Sequence, residues 1–283
     1  MKAFLFSGQG SQKVGMGYGL FEKYPEYVKI CDQVLGFSIV SLCLEDICGQ
    51  QNQTKFTQPA VFVVNALSYI DKIENEPEPD FLAGHSLGEY NALFAAGVFT
   101  FEDTLKLVKK RGELMGAESG GSMLAVFEGN ADKLQGLIND ERIVDVFIAN
   151  YNSPNQIVLS GKKEGIKNAK TVFEKEEIAF SELNVSGAFH SIFMQNAKEI
   201  FSDFINKYNL NSPKIPVVSN VTARPYEKHR IRELVLDQMI KPVNWRDSIK
   251  YMINDGVCQF EQVGSGKTLI KFLNQIKKEA VMS

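Results

Sequence analysis

Ser86 lies in Gly84-His85-Ser86-Leu87-Gly88, a G-x-S-x-G run. Phe81-Leu82-Ala83 before it is a short apolar stretch, and Glu89 to Ala96 after it reads as a helix rich in Ala and Leu. A serine on a strand-to-helix elbow is exposed at the tip of a sheet and at the positive end of a helix dipole. The backbone N–H of the next residue, Leu87, then faces the oxyanion of an acyl intermediate. The chemistry expected is a serine that carries an acyl group. The competing reading is a glycine-rich turn with a solvated serine, and the strand-before, helix-after setting weighs against it.

Such a serine needs a base, and the chain has three histidines. His85 adjoins Ser86, and on a tight turn its side chain points another way, so packing or hydrogen bonding under the elbow is expected. His229 lies among Glu227, Lys228, Arg230 and Arg232, a polar segment that reads as solvated. His190, in Ser186-Gly187-Ala188-Phe189-His190-Ser191, falls between an expected strand and helix, opposite the elbow. It is the best base candidate, with a core or loop histidine as the alternative. No Asp or Glu is singled out by spacing as its orienting acid, and a backbone carbonyl can serve instead.

Gly8-Gln9-Gly10 follows an apolar strand-like start, and a sheet-tip loop of that kind can supply a second oxyanion N–H. A plain glycine turn is the alternative. Arg111, in Lys109-Lys110-Arg111-Gly112, reads either as part of a solvated helix face or as a cleft arginine that grips a substrate carboxylate. Gly112 within a helix costs about 1 kcal/mol relative to Ala, which points to a close approach there. Gly264-Ser265-Gly266-Lys267-Thr268 ends like a phosphate loop, but residue 261 is Glu where the first glycine is required. It reads as a turn into the last helix.

The 283 residues allow one large domain or two unequal ones. Thirty-one Lys and Arg against 34 Asp and Glu give a charge of −3, with no basic stripe for nucleic acid. Cys31, Cys43, Cys48 and Cys258 form no C-x-x-C pair, so neither a metal site nor a disulfide framework is expected. No apolar run approaches a membrane span, and the apolar start is too short for a signal peptide. A cytoplasmic protein, with no demand for more than a monomer, is the reading.

The elements that must position these residues begin with a buried strand over 2–6 and helical patterns over 17–36 and 38–47. A helix starting at Thr57-Gln58-Pro59 runs to about Ile73, with Pro59 near its first turn. A strand near 80–84, the elbow helix and a helix from about Phe101 to Glu118 follow. The order then changes to strand 122–128, helix 131–139, strand 143–150, strand 156–160, helix 163–176 and strand 178–185. This is βαββαβ, the ferredoxin-like arrangement, with Asn152-Ser153-Pro154-Asn155 as its hairpin turn. Beyond it come helices over 191–208, 230–240, 244–254 and 267–278 and strands at 215–219 and 257–263. The fold class is therefore α/β. Residues 1–120 and 186–283 form a large body around a mostly parallel sheet, 121–185 form a small inserted subdomain, and a ligand cleft lies between them.

Together the motifs resemble the malonyl-CoA:acyl-carrier-protein transacylase family. The match rests on Gly8-Gln9-Gly10-Ser11-Gln12, Thr57-Gln58-Pro59-Ala60, Gly84-His85-Ser86-Leu87-Gly88-Glu89, Arg111-Gly112 with Met115, Asn152-Ser153-Pro154, Gly187-Ala188-Phe189-His190-Ser191, Pro242-Val243-Asn244-Trp245 and Val263-Gly264. They run in the family's order across almost the whole chain. The wording of Phe56 to Ala60, Val64 to Tyr69 and Val108 to Met115 is most similar to the free-standing acyltransferases that serve polyketide synthases in trans.

The resemblance implies an α/β-hydrolase-like large domain beside the ferredoxin-like one. It implies Ser86 as acylated nucleophile, His190 as base, Gln9 and Leu87 as oxyanion donors and Arg111 as anchor of the malonyl carboxylate. Gln58 and Met115 belong to the pocket. The main-chain carbonyl of Gln238 orients the histidine, and Phe189 excludes an α-methyl branch, a discrimination worth about 1–3 kcal/mol. The implied activity is ping-pong malonyl transfer from malonyl-CoA to the phosphopantetheine thiol of an acyl carrier protein, with no metal or other cofactor. Polyketide synthase modules are implied partners; nucleic acid and membrane are not. The alternatives are a hydrolase that clears carrier proteins, a housekeeping fatty-acid transacylase, and a non-catalytic docking module.

Overall fold

Ala3-Phe4-Leu5-Phe6 is a run of four buried residues, which a strand covered on both faces accommodates. It belongs to β1 (Lys2–Phe6), flanked in parallel by β2 (Phe81–Gly84) and β8 (Gln259–Val263), with the two-residue β7 (Val217–Val218) outside β2. The computed structural model describes residues 1–127, 131–139 and 143–282. Register places Phe6, Gly84 and Val263 in one row, so the loops after β1, β2 and β8 emerge at the same end of the sheet.

Side chains alternate across this sheet. Phe4, Phe6 and Leu82 join a core with α4 (Thr54–Ile73), α5 (Gly88–Ala95) and α6 (Phe101–Ala117). That face also takes α1 (Leu20–Lys23), α2 (Pro25–Leu35), α3 (Ile39–Leu44), α9 (Gln195–Ile205) and α10 (Ile231–Asp237). Ala3, Leu5, Phe81 and Ala83 face the opposite core, closed by α11 (Trp245–Asn254) and α12 (Thr268–Met282).

A second, antiparallel sheet is made of β3 (Gly121–Val126), β4 (Val146–Ser153), β5 (Gln156–Lys162) and β6 (Phe180–Glu182), in the order β4-β5-β3-β6. With α7 (Ala131–Ile138) and α8 (Lys163–Lys175) it has the expected βαββαβ order and ferredoxin-like strand arrangement. One face covers its own core of Leu124, Val126, Leu159 and Phe173. Met123, Ala125 and Val158 of the other face join the core of the large body. The N–H of Tyr151 donates to Val243 O and the N–H of Val243 donates to Ala149 O, both about 2.9 Å or less. These two bonds stitch β4 to the large body.

Several elements differ from expectation. Helix α4 starts at Thr54 and encloses Pro59, because Gln53 O accepts from the N–H groups of Phe56 and Thr57 and so closes a turn before the proline. The pattern over 17–36 breaks at Pro25 into two helices, and α2 ends at Gly36, left-handed at φ 82°. Strand β7 is shorter than 215–219, since Pro216 cannot donate and Ser219 turns back to bond Arg224 and Ala223. Asn152 and Ser153 lie within β4, leaving Pro154-Asn155 as the turn. Residue 128, the expected end of one strand, lies outside the described residues.

The elbow between β2 and α5 depends on main chain meeting main chain. A methyl group on Gly84 would overlap the backbone of Gly88, and one on Gly88 would overlap the Phe6 carbonyl. The obstruction is backbone, with no flexible side chain to yield. Gly88→Ala is therefore expected to cost about 3 kcal/mol, the upper range for overpacking. Urea unfolding that shows a loss below about 1 kcal/mol would contradict this contact.

Candidate active site

Ser86 is held at φ 52°, a left-handed conformation that costs a non-glycine residue about 1–2 kcal/mol. Local bonds sustain it. Its N–H donates to Asn220 Oδ1 at 2.8 Å, and Asn220 Nδ2 donates to Gly84 O at 2.7 Å. Gly88 N–H and Glu89 N–H return to His85 O and Ser86 O as α5 begins. The result is a hydroxyl projected beyond the strand end at the N-terminus of a helix.

His190 reaches it from the far side of the cleft. It too is left-handed, at φ 57°, and the following Ser191 side chain donates to Ala188 O. Ser86 Oγ and His190 Nε2 are 2.8 Å apart, and His190 Nδ1 is 2.7 Å from the main-chain O of Gln238. A carbonyl only accepts, so Nδ1 carries the ring hydrogen and Nε2 is left to accept from the serine hydroxyl. Burial pushes the His190 pKa down to about 3, with the Arg111 charge adding to the shift and the Gln238 carbonyl opposing it. The imidazole is neutral at physiological pH.

Arg111 rises from the middle of α6 and is 1% exposed, so it is no part of a solvated helix face. Gly112 permits this, because α6 lies close against α4 there: a methyl group on Gly112 would meet Thr54 O at 3.1 Å and Gln58 Cβ at 3.3 Å. Arg111 Nη1 donates to Gln58 Oε1 at 2.8 Å, and Nη2 donates to Gln238 Oε1 at 3.0 Å and Ser86 Oγ at 3.3 Å. Its guanidinium stands over the Tyr90 ring, 5.4 Å from the centroid. No carboxylate among the described residues pairs with it directly. Burial lowers its pKa, yet an arginine stays cationic.

Gly8 lies against the elbow, where a methyl group would overlap His85 O and stand 3.5 Å from Leu87 N. The loop after β1 is therefore pressed beside Ser86. Among the described residues neither Gln9 N–H nor Leu87 N–H has an acceptor. The cavity here measures about 340 Å³, between the loops at the end of the parallel sheet and the strands of the antiparallel one. Gln58, Met115 and Phe189 line it with Ser86, Arg111 and His190, and Gln58 Nε2 donates to Met115 Sδ. Among the described residues no three His, Cys, Asp or Glu side chains are grouped to hold a metal ion.

The other histidines stand apart from the Ser86–His190 pair. His85 Nε2 is 2.7 Å from Asn152 Oδ1 and its ring packs edge-on to Trp245, so it joins the elbow to β4. His229 is exposed beside Glu227. Gly264-Ser265-Gly266 is the turn into α12, and Ser265 O accepts from Ser7 Oγ.

Asn220 and Glu89 have no role among the expectations from sequence. Glu89 is buried, and its carboxylate accepts from Asn220 N–H at 2.8 Å, Tyr226 Oη–H at 2.7 Å and the side-chain amide of Gln238. Burial lifts its pKa to about 7 against the pull of those three donors and Arg111. The only sequence signal was its position directly after Gly88.

The acyl transferase domain model matches residues 3–278. Polyketide biosynthesis malonyl CoA-acyl carrier protein transacylase PksC of Bacillus subtilis is 49% identical over 99% of this chain and 98% of its own length. Polyketide biosynthesis protein PksE of the same organism is 47% identical over 99% of this chain, which spans 37% of that longer protein. The crystal structure of malonyl CoA-acyl carrier protein transacylase from Burkholderia pseudomallei superposes with a TM-score of 0.95 at 42% identity, over 99% of this chain and 98% of that one. With a strained serine, a neutral histidine and a buried arginine at one sheet end, this chain belongs to the acyl transferase domain family.

Proposed function

We propose that the protein moves a malonyl group from malonyl-CoA to the phosphopantetheine thiol of an acyl carrier protein through a malonyl-serine at Ser86. The observation that carries this reading is Arg111: a buried cation, 3.3 Å from the nucleophile, with no direct carboxylate partner among the described residues. Such a cation awaits an anion, and the free carboxylate of a malonyl group supplies it beside the thioester under attack. The names of the full-length relative PksC and of the Burkholderia structure support the same substrates.

His190 Nε2 takes the Ser86 proton as Oγ attacks the thioester carbonyl. The N–H groups of Gln9 and Leu87 hold the oxyanion. Collapse breaks the C–S bond, and coenzyme A leaves as a thiol with the proton from His190. The carrier thiol then gives its proton to His190 and attacks the malonyl ester, and Ser86 recovers a proton as it departs. Nothing beyond these side chains and the two thioesters enters the steps, so no metal or redox cofactor is assigned. Apolar walls from Met115, Met123, Ala125, Val158 and Phe189 limit water at the ester. That favours transfer over a carrier-clearing hydrolase. Similarity to PksC supports service to a polyketide synthase, and four free cysteines fit a reducing cytoplasm.

Intact mass after mixing with malonyl-CoA is expected to show one malonyl adduct, absent in Ser86→Ala, that moves to added holo carrier protein. Release of free malonate without transfer would favour the hydrolase, and no adduct would favour a docking module. Arg111→Ala is expected to slow malonyl loading about 100-fold, the scale of losing a buried charged partner, while acetyl loading changes far less. Equal losses would remove the carboxylate role. Because His190 works in its neutral form, acetyl loading is expected to stay level from about pH 8 to 5 and to fall only as His190 protonates towards its low pKa. A limb near the ordinary imidazole value of about 6.5 would refute the depressed pKa. Among carrier proteins, faster transfer to a polyketide carrier than to a fatty-acid carrier is expected, and the reverse order would assign the housekeeping role.

A further inference from the structure

Arg111 is held by two neutral amide oxygens, Gln58 Oε1 at 2.8 Å and Gln238 Oε1 at 3.0 Å. An amide can present either end to its neighbour, and the NH2 end would repel a guanidinium. What fixes the Gln238 amide is on its other side. Its Nε2 donates to Ser86 O at 2.8 Å and to the buried carboxylate of Glu89. Both are acceptors, so the nitrogen faces them and the oxygen faces Arg111. Glu89 is anchored in turn by Asn220 N–H and Tyr226 Oη–H.

We propose that Glu89 is a positioning residue for Arg111, acting through the side-chain amide of Gln238. The arrangement orients the guanidinium without occupying it. A carboxylate placed directly on Arg111 would pair with it and compete with an incoming carboxylate. One amide removed, Glu89 sets the direction of Arg111 and leaves its charge for the substrate. This role belongs to the side chain of Gln238 and is separate from its main-chain carbonyl, which holds His190.

The inference rests on the malonyl-transfer reading. Glu89→Gln tests it, because the new side chain keeps an oxygen for Asn220 and Tyr226 but turns an NH2 towards the NH2 of Gln238. Rates of acyl-serine formation from malonyl-CoA and acetyl-CoA are measured by intact mass in the unaltered protein, Glu89→Gln, Arg111→Ala and the double variant. Measurement at about pH 8 keeps Glu89 ionised, since its pKa is about 7. The malonyl-to-acetyl ratio is expected to fall roughly tenfold in Glu89→Gln, the scale of one hydrogen bond to a charged group. In the Arg111→Ala background the same change is expected to leave the ratio where it was.

An unmoved ratio in Glu89→Gln, with normal malonyl loading of the unaltered protein, overturns the inference alone. So does an equal fall in both backgrounds, which would mark a general structural effect. Absence of malonyl-serine in the unaltered protein overturns the transfer reading and this inference with it. Should Glu89→Gln fail to fold, Gln238→Met carries the same expectation. It preserves the carbonyl for His190 and removes the amide, and an unmoved ratio there counts against the inference equally.

Discussion

Contact between the backbones of β1 and the elbow governs the site. Gly88 packs on the carbonyl of Phe6, Gly84 packs on Gly88, and Gly8 packs on the carbonyl of His85. A side chain at any of the three would push the strand end, the serine turn and the first loop apart. With all three absent, Gln9, Ser86 and Leu87 line one cavity. The strained φ of Ser86 is then sustained by Asn220, which bonds the N–H of Ser86 and the carbonyl of Gly84 with one side chain. Strain of this kind persists only where neighbours over-determine it.

Burial does a second job around that contact. It keeps His190 neutral and so ready to accept a proton, although the cation of Arg111 stands nearby. It also makes any ionic partner of Arg111 expensive to leave unsatisfied. Amide oxygens from Gln58 and Gln238 accept from the two terminal nitrogens of the guanidinium without cancelling its charge, while Nε has no partner among the described residues. A main-chain carbonyl in place of an orienting acid follows the same economy, since a carboxylate on His190 would add another buried charge close to Arg111.

Much of this was legible in the residues because it is local. The G-x-S-x-G run encodes its own turn, and the βαββαβ order could be read from alternating patterns. His190 stood out by elimination among three histidines and by its place between two elements. Gln9 and Arg111 could be read as an oxyanion loop or plain turn and as a carboxylate grip or solvated face, and the family resemblance chose between them; the roles of Gln58 and Gln238 came with the resemblance alone. Asn220 and Glu89 were illegible for a physical reason: their bonds join residues more than 130 positions apart, through a loop after a strand only two residues long. The start of α4 is hidden in the sequence because Pro59 resembles a first-turn proline, whereas Gln53 closes the helix end before it.

The small sheet is fastened to the large body at several separate places. Gly121 lies against the backbone of Ala188, β4 is bonded to Val243, and Asn152 meets His85 beneath the elbow. These contacts lie on different strands, so the two walls of the chamber are tied together at more than one edge. Acyl-group choice is then written in side-chain length, at places such as Phe189 and Met115, and not in an angle between domains. Trimming such a wall side chain enlarges the chamber without touching the backbone contacts at the sheet end.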